Sequence, residues 1–356
     1  MQFKTNSNNL LKGLSQVVGV ITPNNTLPIL DNFHLSLVGN ELTITGSDLE
    51  ITITSKIEVD GGNDGAICVG TKTLLDLLKT MNNESILFTS AQNGQVIIQA
   101  SQGDYEVSYD DANDFPSTPT LSEERQSISS NELKNVISKT IFATGNDELR
   151  PIMMGVCFES GKVASTDAHK LVKVTTNINA NFVLPKKGAN LLKNLLPKDD
   201  VEVEMQYNTT NALFTFDNIS VIVRLVDGKY PNYEAVIPQN NNNKLSIGRV
   251  EFINTLKRLQ AFSNKTTNQV RLDLSQDEVI ISSEDVDFRN KAKETLDAVY
   301  SGSNLSIGFN SKFMIEMLSN INCEEVSLDM SEPNRAILVN GEENVLGLLM
   351  PVMLNA

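Results

Sequence analysis

Apolar residues recur at three- and four-residue spacing in Asn9-Leu10-Leu11-Lys12-Gly13-Leu14, and Val17 and Val18 continue the same face. Such spacing predicts an amphipathic helix. The pattern returns as Asn131-Glu132-Leu133-Lys134-Asn135-Val136-Ile137, with Ser129 or Ser130 ahead of it as an N-cap, and again as Glu251-Phe252-Ile253-Asn254-Thr255-Leu256-Lys257. A second helical pattern also occurs three times. It reads Thr73-Leu74-Leu75-Asp76-Leu77-Leu78-Lys79, then Ala189-Asn190-Leu191-Leu192-Lys193-Asn194-Leu195-Leu196, then Lys312-Phe313-Met314-Ile315-Glu316-Met317-Leu318. Between the members of each pair, a strand-like run ends in an acidic turn, at Leu42 to Asp48, Val163 to Asp167 and Val279 to Asp285. Asp48, Asp167 and Asp285 are 119 and 118 residues apart, and the closing pairs Phe115-Pro116, Tyr230-Pro231 and Met350-Pro351 are 115 and 120 apart. Three features in one order, on one period, define three repeats that fill the chain.

The rest of each repeat alternates apolar and polar residues, as in Ile51 to Ile57, Tyr105 to Tyr109 and Val201 to Met205, which predicts half-buried strands. Gly39-Asn40, Asn93-Gly94 and Asn340-Gly341 are hairpin-turn signals. Each repeat is expected to hold two helices among about eight strands, an α+β module with its helices packed on antiparallel sheets. Polar linkers at Ser117 to Gln126 and Gln239 to Lys244 place the module boundaries at 1–122, 127–240 and 244–356.

Composition narrows the classes. A hydrophobic fraction of 40% is ample for folded cores. No basic flank precedes an apolar signal segment, and the longest apolar runs are far too short for a bilayer, so a cytoplasmic location without membrane contact is expected. Cys68, Cys157 and Cys323 form neither a zinc pattern nor a disulfide framework, as expected of reduced thiols. The formal charge of −15 argues against a polyanionic partner until it is resolved by position. The helical windows 8–20, 71–81, 128–143, 186–198, 249–265 and 311–320 contain 14 basic and 4 acidic residues, leaving 15 basic and 40 acidic elsewhere. Helix propensity explains the lysines but not the scarcity of glutamate, which favours helices equally. A basic helical surface facing duplex nucleic acid explains both, and the absence of an aromatic ladder disfavours single strands.

The signs of catalysis are incomplete. His169 beside Asp167 invites a hydrolase reading, but no serine elbow, cysteine partner or metal spacing accompanies the pair. Asp110-Asp111-Ala112-Asn113-Asp114 lacks the glycine and closing glutamate of a calcium loop, and Gly61-Gly62-Asn63 precedes no Lys-Ser/Thr. No cofactor, metal or catalytic residue is therefore expected. The competing non-enzymatic reading is an acidic scaffold of three β-rich modules that binds no nucleic acid.

The chain resembles the bacterial DNA polymerase III beta-subunit family, the beta sliding clamps. The matching words are Thr26-Leu27-Pro28-Ile29-Leu30, Gly46-Ser47-Asp48-Leu49-Glu50, Asp114-Phe115-Pro116, Ser165-Thr166-Asp167-Ala168-His169-Lys170-Leu171, Leu225-Val226-Asp227-Gly228-Lys229-Tyr230-Pro231-Asn232-Tyr233, Tyr300-Ser301-Gly302 and Met350-Pro351-Val352. The resemblance implies a head-to-tail homodimeric ring of three DNA-clamp domains per subunit. Such a ring would encircle duplex DNA and tether the replicative polymerase catalytic subunit, after an ATP-dependent clamp loader has opened it. It further implies a peptide pocket for the polymerase and other clamp-binding-motif proteins of replication and repair. The matching pocket positions are Met153, Thr166, Ala168, His169, Lys170, Leu171, Pro231, Ala235, Val236, Ala336, Leu348 and Met350. The family usually has glycine where Ala168 stands, and often a basic residue where Lys170 and Ala235 stand. DNA-side positions carried over are Lys72, Arg150, Lys186 and Lys187. Helix placement adds Lys12, Lys134, Lys193, Lys257, Arg258 and Lys265, whereas Asn24 stands in a loop where relatives can carry arginine. The implied subunit interface pairs Gly103 to Val107 with Phe288 to Lys293, an acidic edge against a basic one, with Ala261 and Phe262 packing against Tyr105 and Val107. Lys291 and Lys293 are the basic residues on which that pairing is expected to depend.

Overall fold

The computed structural model describes residues 1–23, 26–121 and 125–354. Asn24 and residues 122–124 of the expected first linker lie outside the described residues. Helices α1 (Ser7–Val17), α2 (Thr71–Thr80), α3 (Ser130–Thr140), α4 (Lys186–Leu195), α5 (Arg249–Gln260) and α6 (Ser311–Asn320) occupy the six periodic windows. Five windows run past the helix they contain, and in two of them the overrun carries a lysine. Pro197 has no N–H with which to prolong α4, so Lys198 is outside it. After Gln260 the chain tightens into three-residue turns, Phe262 N–H to Leu259 O at 3.0 Å and Ser263 Oγ to Gln260 O at 2.9 Å. Lys265, expected on α5, therefore stands on the turn that follows it. With these bounds the helices contain twelve basic and four acidic residues, so the charge inversion survives.

Contacts group the chain into two compact units, 1–131 with 190–225 and 132–189 with 226–356. In the first unit, a thirteen-stranded sheet continues without a break from one repeat into the next. Strand Ile51–Glu58 pairs with Ile219–Arg224, Ile53 lying opposite Val221. In the second, a nine-stranded sheet joins Lys170–Thr175 to Val345–Leu349 in the same way, and a four-stranded sheet runs in the order Asn290–Thr295, Val279–Asp285, Gln269–Leu274, Leu305–Asn310. Every strand pairing among the described residues is antiparallel. The middle repeat is thus shared between the units, because each of its sheets finds hydrogen-bond partners in a different neighbour.

Helices cover one face of these sheets. In α1, Leu10, Leu14 and Val17 are fully buried, and Gly13 permits close approach, since a Cβ there would lie 2.8 Å from Ile44 Cδ1 and 3.0 Å from Ile57 Cγ2. The start of α3 is fixed from a distance. Asp200 Oδ1 accepts from Ser129 Oγ at 2.7 Å, Ser130 Oγ at 3.2 Å and Asn131 N–H at 3.1 Å, placing a carboxylate at the positive end of the helix.

The three repeat aspartates share one local job. Asp48 Oδ1 accepts the N–H groups of Glu50 and Ile51, Asp167 Oδ1 those of His169 and Lys170, and Asp285 Oδ1 those of Asp287 and Phe288. One signal is misread at sequence level: Asn340-Gly341 is not a hairpin turn. It lies inside strand Ile337–Glu342, at a bulge between Asn340 and Glu342, and the reversal falls at Glu343 and Asn344. Gly341 serves close packing there, as a Cβ would sit 2.6 Å from Cys323 Sγ.

The Ser129 hydroxyl and the Asn131 N–H hold the Asp200 carboxyl below its usual range. A depressed carboxyl contributes stability above its unfolded pKa and loses it as pH falls through the folded value. Asp200→Ala is accordingly expected to lower the urea midpoint at pH 7, with the deficit shrinking toward pH 3. A deficit that stays constant over that range would mean the carboxylate charge is not its source.

Candidate peptide groove and nucleic-acid surface

Antiparallel pairing sets Leu171 opposite Leu348 and Lys170 opposite Leu349. Leu171 and Leu348 therefore share a face, where they form a buried cluster with Ala164, Tyr233 and Ala336. Tyr230, Ile237 and Leu338 pack against this cluster, and Val236 (56% exposed) and Met350 (39% exposed) leave apolar surface open to solvent. The short helical turn Tyr233–Val236 presents Ala235 and Val236, and Pro231 O accepts the Tyr233 N–H at 2.8 Å. The Met350 N–H donates to His169 O at 2.8 Å and so ties the end of the chain to the acidic turn. Met153 lies on the turn Pro151–Met154. Its carbonyl accepts the Gly145 N–H at 2.8 Å, and a Cβ on Gly145 would be 3.7 Å from Met153 Cβ and 3.8 Å from Asp167 Cβ.

The turn itself is held by short polar contacts. Thr166 Oγ1 donates to Lys170 O at 2.8 Å and accepts from Ala168 N–H at 3.1 Å, while the Thr166 N–H donates to the Tyr230 hydroxyl at 3.0 Å. Ala168 has φ +75°, a left-handed conformation unfavourable to any residue with a Cβ. Lys170 is buried, with Nζ 2.8 Å from Asp167 Oδ2, 3.1 Å from Glu316 Oε2 and 4.4 Å from the Phe313 ring centroid. Two carboxylates and an aromatic face offset the desolvation of one ammonium group. The His169 ring stacks on Phe313 with centroids 5.9 Å apart.

This arrangement does not support general-base chemistry. One Asp167 oxygen is taken by two backbone N–H groups and the other by Lys170, and His169 is oriented by Phe313. Tyr233 donates to Glu159 Oε2 at 2.6 Å, and burial pushes its phenol well above the ordinary range, as it does for Tyr230. Lys162 and Lys173 both reach Glu234, beside Ala235, and the Lys162 hydrogen bond holds that carboxyl below its usual range. The groove is therefore an apolar floor with internally satisfied charge, suited to binding short apolar side chains. Among the described residues no cluster of His, Cys, Asp and Glu has the makings of a metal site, and no helix is long and apolar enough to cross a membrane.

All twelve positions carried over for the pocket lie in the second unit. The cluster and turn unite Thr166, Ala168, His169, Lys170, Leu171, Ala336, Leu348 and Met350, with Met153, Pro231, Ala235 and Val236 on the flanking turns. Phe313, Tyr230 and Glu316 were missed. Tyr230 stood in the closing Tyr230-Pro231 marker, but nothing in the pattern of α6 said that Phe313 and Glu316 would face a turn about 145 residues away.

The basic candidates fall into separate groups. In the first unit Lys12 and Lys72 are exposed and Lys193 is half-buried. In the second, Lys187, Lys257 and Lys265 are exposed and Lys134 is half-buried. Lys186 Nζ donates to Asn146 Oδ1 at 3.0 Å, and Arg150 pairs with Asp147 at 2.9 Å. Arg258 forms a two-pronged pair with Glu294 at 2.9 and 2.6 Å, so its charge is committed within the fold.

Two of the open strand edges among the described residues carry the expected interface positions. Strand Gly103–Asp111 pairs through Gly103 to Ser108 with Gln95–Ala100, but on its other side only through Tyr109 to Asp111. Strand Asn290–Thr295 ends the four-stranded sheet. Tyr105 and Val107 lie on the first of these, Lys291 and Lys293 on the second, and Ala261 and the 42%-exposed Phe262 follow α5.

Comparison with known proteins gives the family. Models described as the N-terminal, central and C-terminal domains of the DNA polymerase III beta subunit match residues 1–119, 127–232 and 234–352. The beta sliding clamp of Haemophilus influenzae is 28% identical over 356 residues, covering 97% of each chain, and that of Staphylococcus aureus is 27% identical over 374 residues, covering 99% of each. The crystal structure of the DNA polymerase III subunit beta from Pseudomonas aeruginosa superposes with a TM-score of 0.94 at 28% identity, covering 99% of this chain and all of that one.

At Ala168, relief of left-handed strain, about 1–2 kcal/mol, exceeds the roughly 0.4–1 kcal/mol by which glycine favours the unfolded chain. Ala168→Gly should raise the urea midpoint by the equivalent of about 0.5–1 kcal/mol; a lowered midpoint would show that the turn does not strain this residue.

Proposed function

The chain belongs to the DNA polymerase III beta-subunit family and is a DNA sliding clamp, and on that premise we propose how its surfaces divide the work. Three clamp domains, spanning 1–122, 127–240 and 244–356, build one subunit, and two subunits close head to tail into a ring around duplex DNA. Their helices line the bore. The observation that carries this reading is the charge inversion: twelve basic residues against four acidic ones in the helices of a chain with net charge −15. Phosphates attract the bore, while the acidic exterior discourages DNA from binding anywhere else.

Lys12, Lys72, Lys134, Lys186, Lys187, Lys193, Lys257 and Arg150 are the proposed backbone contacts, joined by Lys265 from its turn. Lysines making contacts through water suit a ring that slides, since tight, sequence-reading bonds would arrest it. No step of covalent chemistry is assigned to the clamp. Opening is left to an ATP-dependent loader, as the chain's only paired glycines, Gly61-Gly62, lie in strand Asp60–Asn63 and not in a phosphate loop. The groove over Leu171 and Leu348 receives apolar motifs of the replicative polymerase, the loader and other replication and repair proteins, and the ring works in the cytoplasm.

Topology provides the test. Clamps loaded on nicked circular DNA by a compatible loader are expected to remain bound in high salt and to be lost when the circle is linearised. Retention that ignores linearisation would be binding without enclosure and would end the ring reading.

A further inference from the structure

We propose that the peptide groove continues past its apolar floor into a second, polar compartment, which reads a basic residue in the partner chain about four residues from the apolar motif. The inference rests on the groove reading above and concerns what else in a partner this site recognises.

Strand register lays out the continuation. Side chains two residues apart on a strand share a face. On strand Lys170–Thr175 the face of Leu171 therefore includes Lys173 and Thr175, and on Val345–Leu349 the face of Leu348 includes Leu346. Leu338 packs against the floor, so Asn340 lies on the same face of strand Ile337–Glu342. Pairing sets these residues in a row. Lys173 stands opposite Ala164, which belongs to the floor, and opposite Leu346, which in turn stands opposite Asn340. The row borders an open cavity of about 470 Å³, lined in part by Lys173, Thr175, Asn340, Glu343, Asn344 and Leu346. Lys173 is the boundary, with the apolar floor on one side of it and the polar compartment on the other. The step from Leu171 to Thr175 covers about 13 Å of strand, the reach of roughly four residues of extended peptide.

The charges around this compartment are unequally committed. The Lys173 ammonium is 3.3 Å from both oxygens of Glu234. The bulge between Asn340 and Glu342 re-aims Glu342, whose carboxylate accepts Lys139 Nζ at 2.5 Å and the Asn322 N–H at 2.9 Å. Asp329, opposite Leu338 on the next strand, accepts Ser327 Oγ at 2.6 Å on one oxygen and Asn340 Nδ2 at 3.1 Å on the other. Glu343 is exposed at the chain reversal and has no side-chain partner among the described residues. A cationic side chain on an extended peptide would meet this free carboxylate, whereas an acidic one would be repelled. Thr175 and Asn344, both exposed, offer hydroxyl and amide groups to the passing backbone. The floor cluster of Ala164, Leu171, Tyr233, Ala336 and Leu348 contains no charged residue, so anchoring and charge reading fall to different parts of one surface.

Fluorescence anisotropy with the full-length chain and synthetic peptides tests the second compartment. The core probe is a labelled peptide trimmed to the clamp-binding motif of the cognate replicative polymerase. Extended probes add a glycine–serine flank to one end or the other, with a single lysine or a single glutamate about four residues from the motif. On the wild type, the lysine probe extended at one of the two ends should bind about threefold to tenfold more tightly than its glutamate counterpart. That difference should shrink in high salt. Glu343→Lys should reverse the preference and leave binding of the core probe unchanged, which also shows that the variant is folded. Lysine and glutamate probes that bind alike at both ends, or a preference that survives Glu343→Lys, would overturn the compartment while leaving the groove. A core probe that fails to bind the wild type would remove the groove reading, and this inference with it.

Discussion

Backbone N–H and C=O groups along a strand edge need partners, and the architecture of this clamp follows from where they find them. Inside the subunit the edges of one repeat are satisfied by the next: Ile51–Glu58 pairs with Ile219–Arg224, and Lys170–Thr175 with Val345–Leu349. Each of these junctions lies within one compact unit, where ladder hydrogen bonds and not a linker alone connect the two repeats. The same demand is left unmet at Gly103 to Ser108 and along Asn290–Thr295.

The second of those continuous junctions also makes the peptide groove. Leu171 and Leu348 come from different repeats and become neighbours only because their strands pair. Around this floor several charges have local partners: Lys170 with Asp167 and Glu316, Glu234 with Lys162 and Lys173. Charge that is already satisfied exerts little pull on a peptide, which is why the proposed function rests on apolar fit in this groove. The helices behave differently. Six of their ten lysines are exposed to solvent.

Much of the fold was legible beforehand because its signals are local. Six helical windows and the aspartate turns depend on residues within one or two helical pitches, and threefold repetition multiplied weak signals into a firm one. The misreadings have equally local causes. Lys265 was placed on a helix that had already ended at Gln260, and Asn340-Gly341 has the composition of a turn but fills a bulge over Cys323. Arg258 shows the limit of counting charge: it adds to the helical sum, yet Glu294 in a neighbouring strand takes up its guanidinium.

By itself, the sequence determined the number of repeats, the elements in each, the separation of basic helices from acidic surroundings and the family to which the chain belongs. Periodicity and composition are properties of neighbours along the chain, and they are read without knowing what lies across a sheet. Tertiary structure alone decided that the middle repeat is shared between two compact units, that Phe313 and Glu316 complete the turn at Lys170, and that Asp104, Glu106, Lys291 and Lys293 all stand on outer faces. Each of these depends on strand register or on contacts between distant segments. A shift of one residue in pairing would turn every side chain to the opposite face while leaving the sequence pattern unchanged.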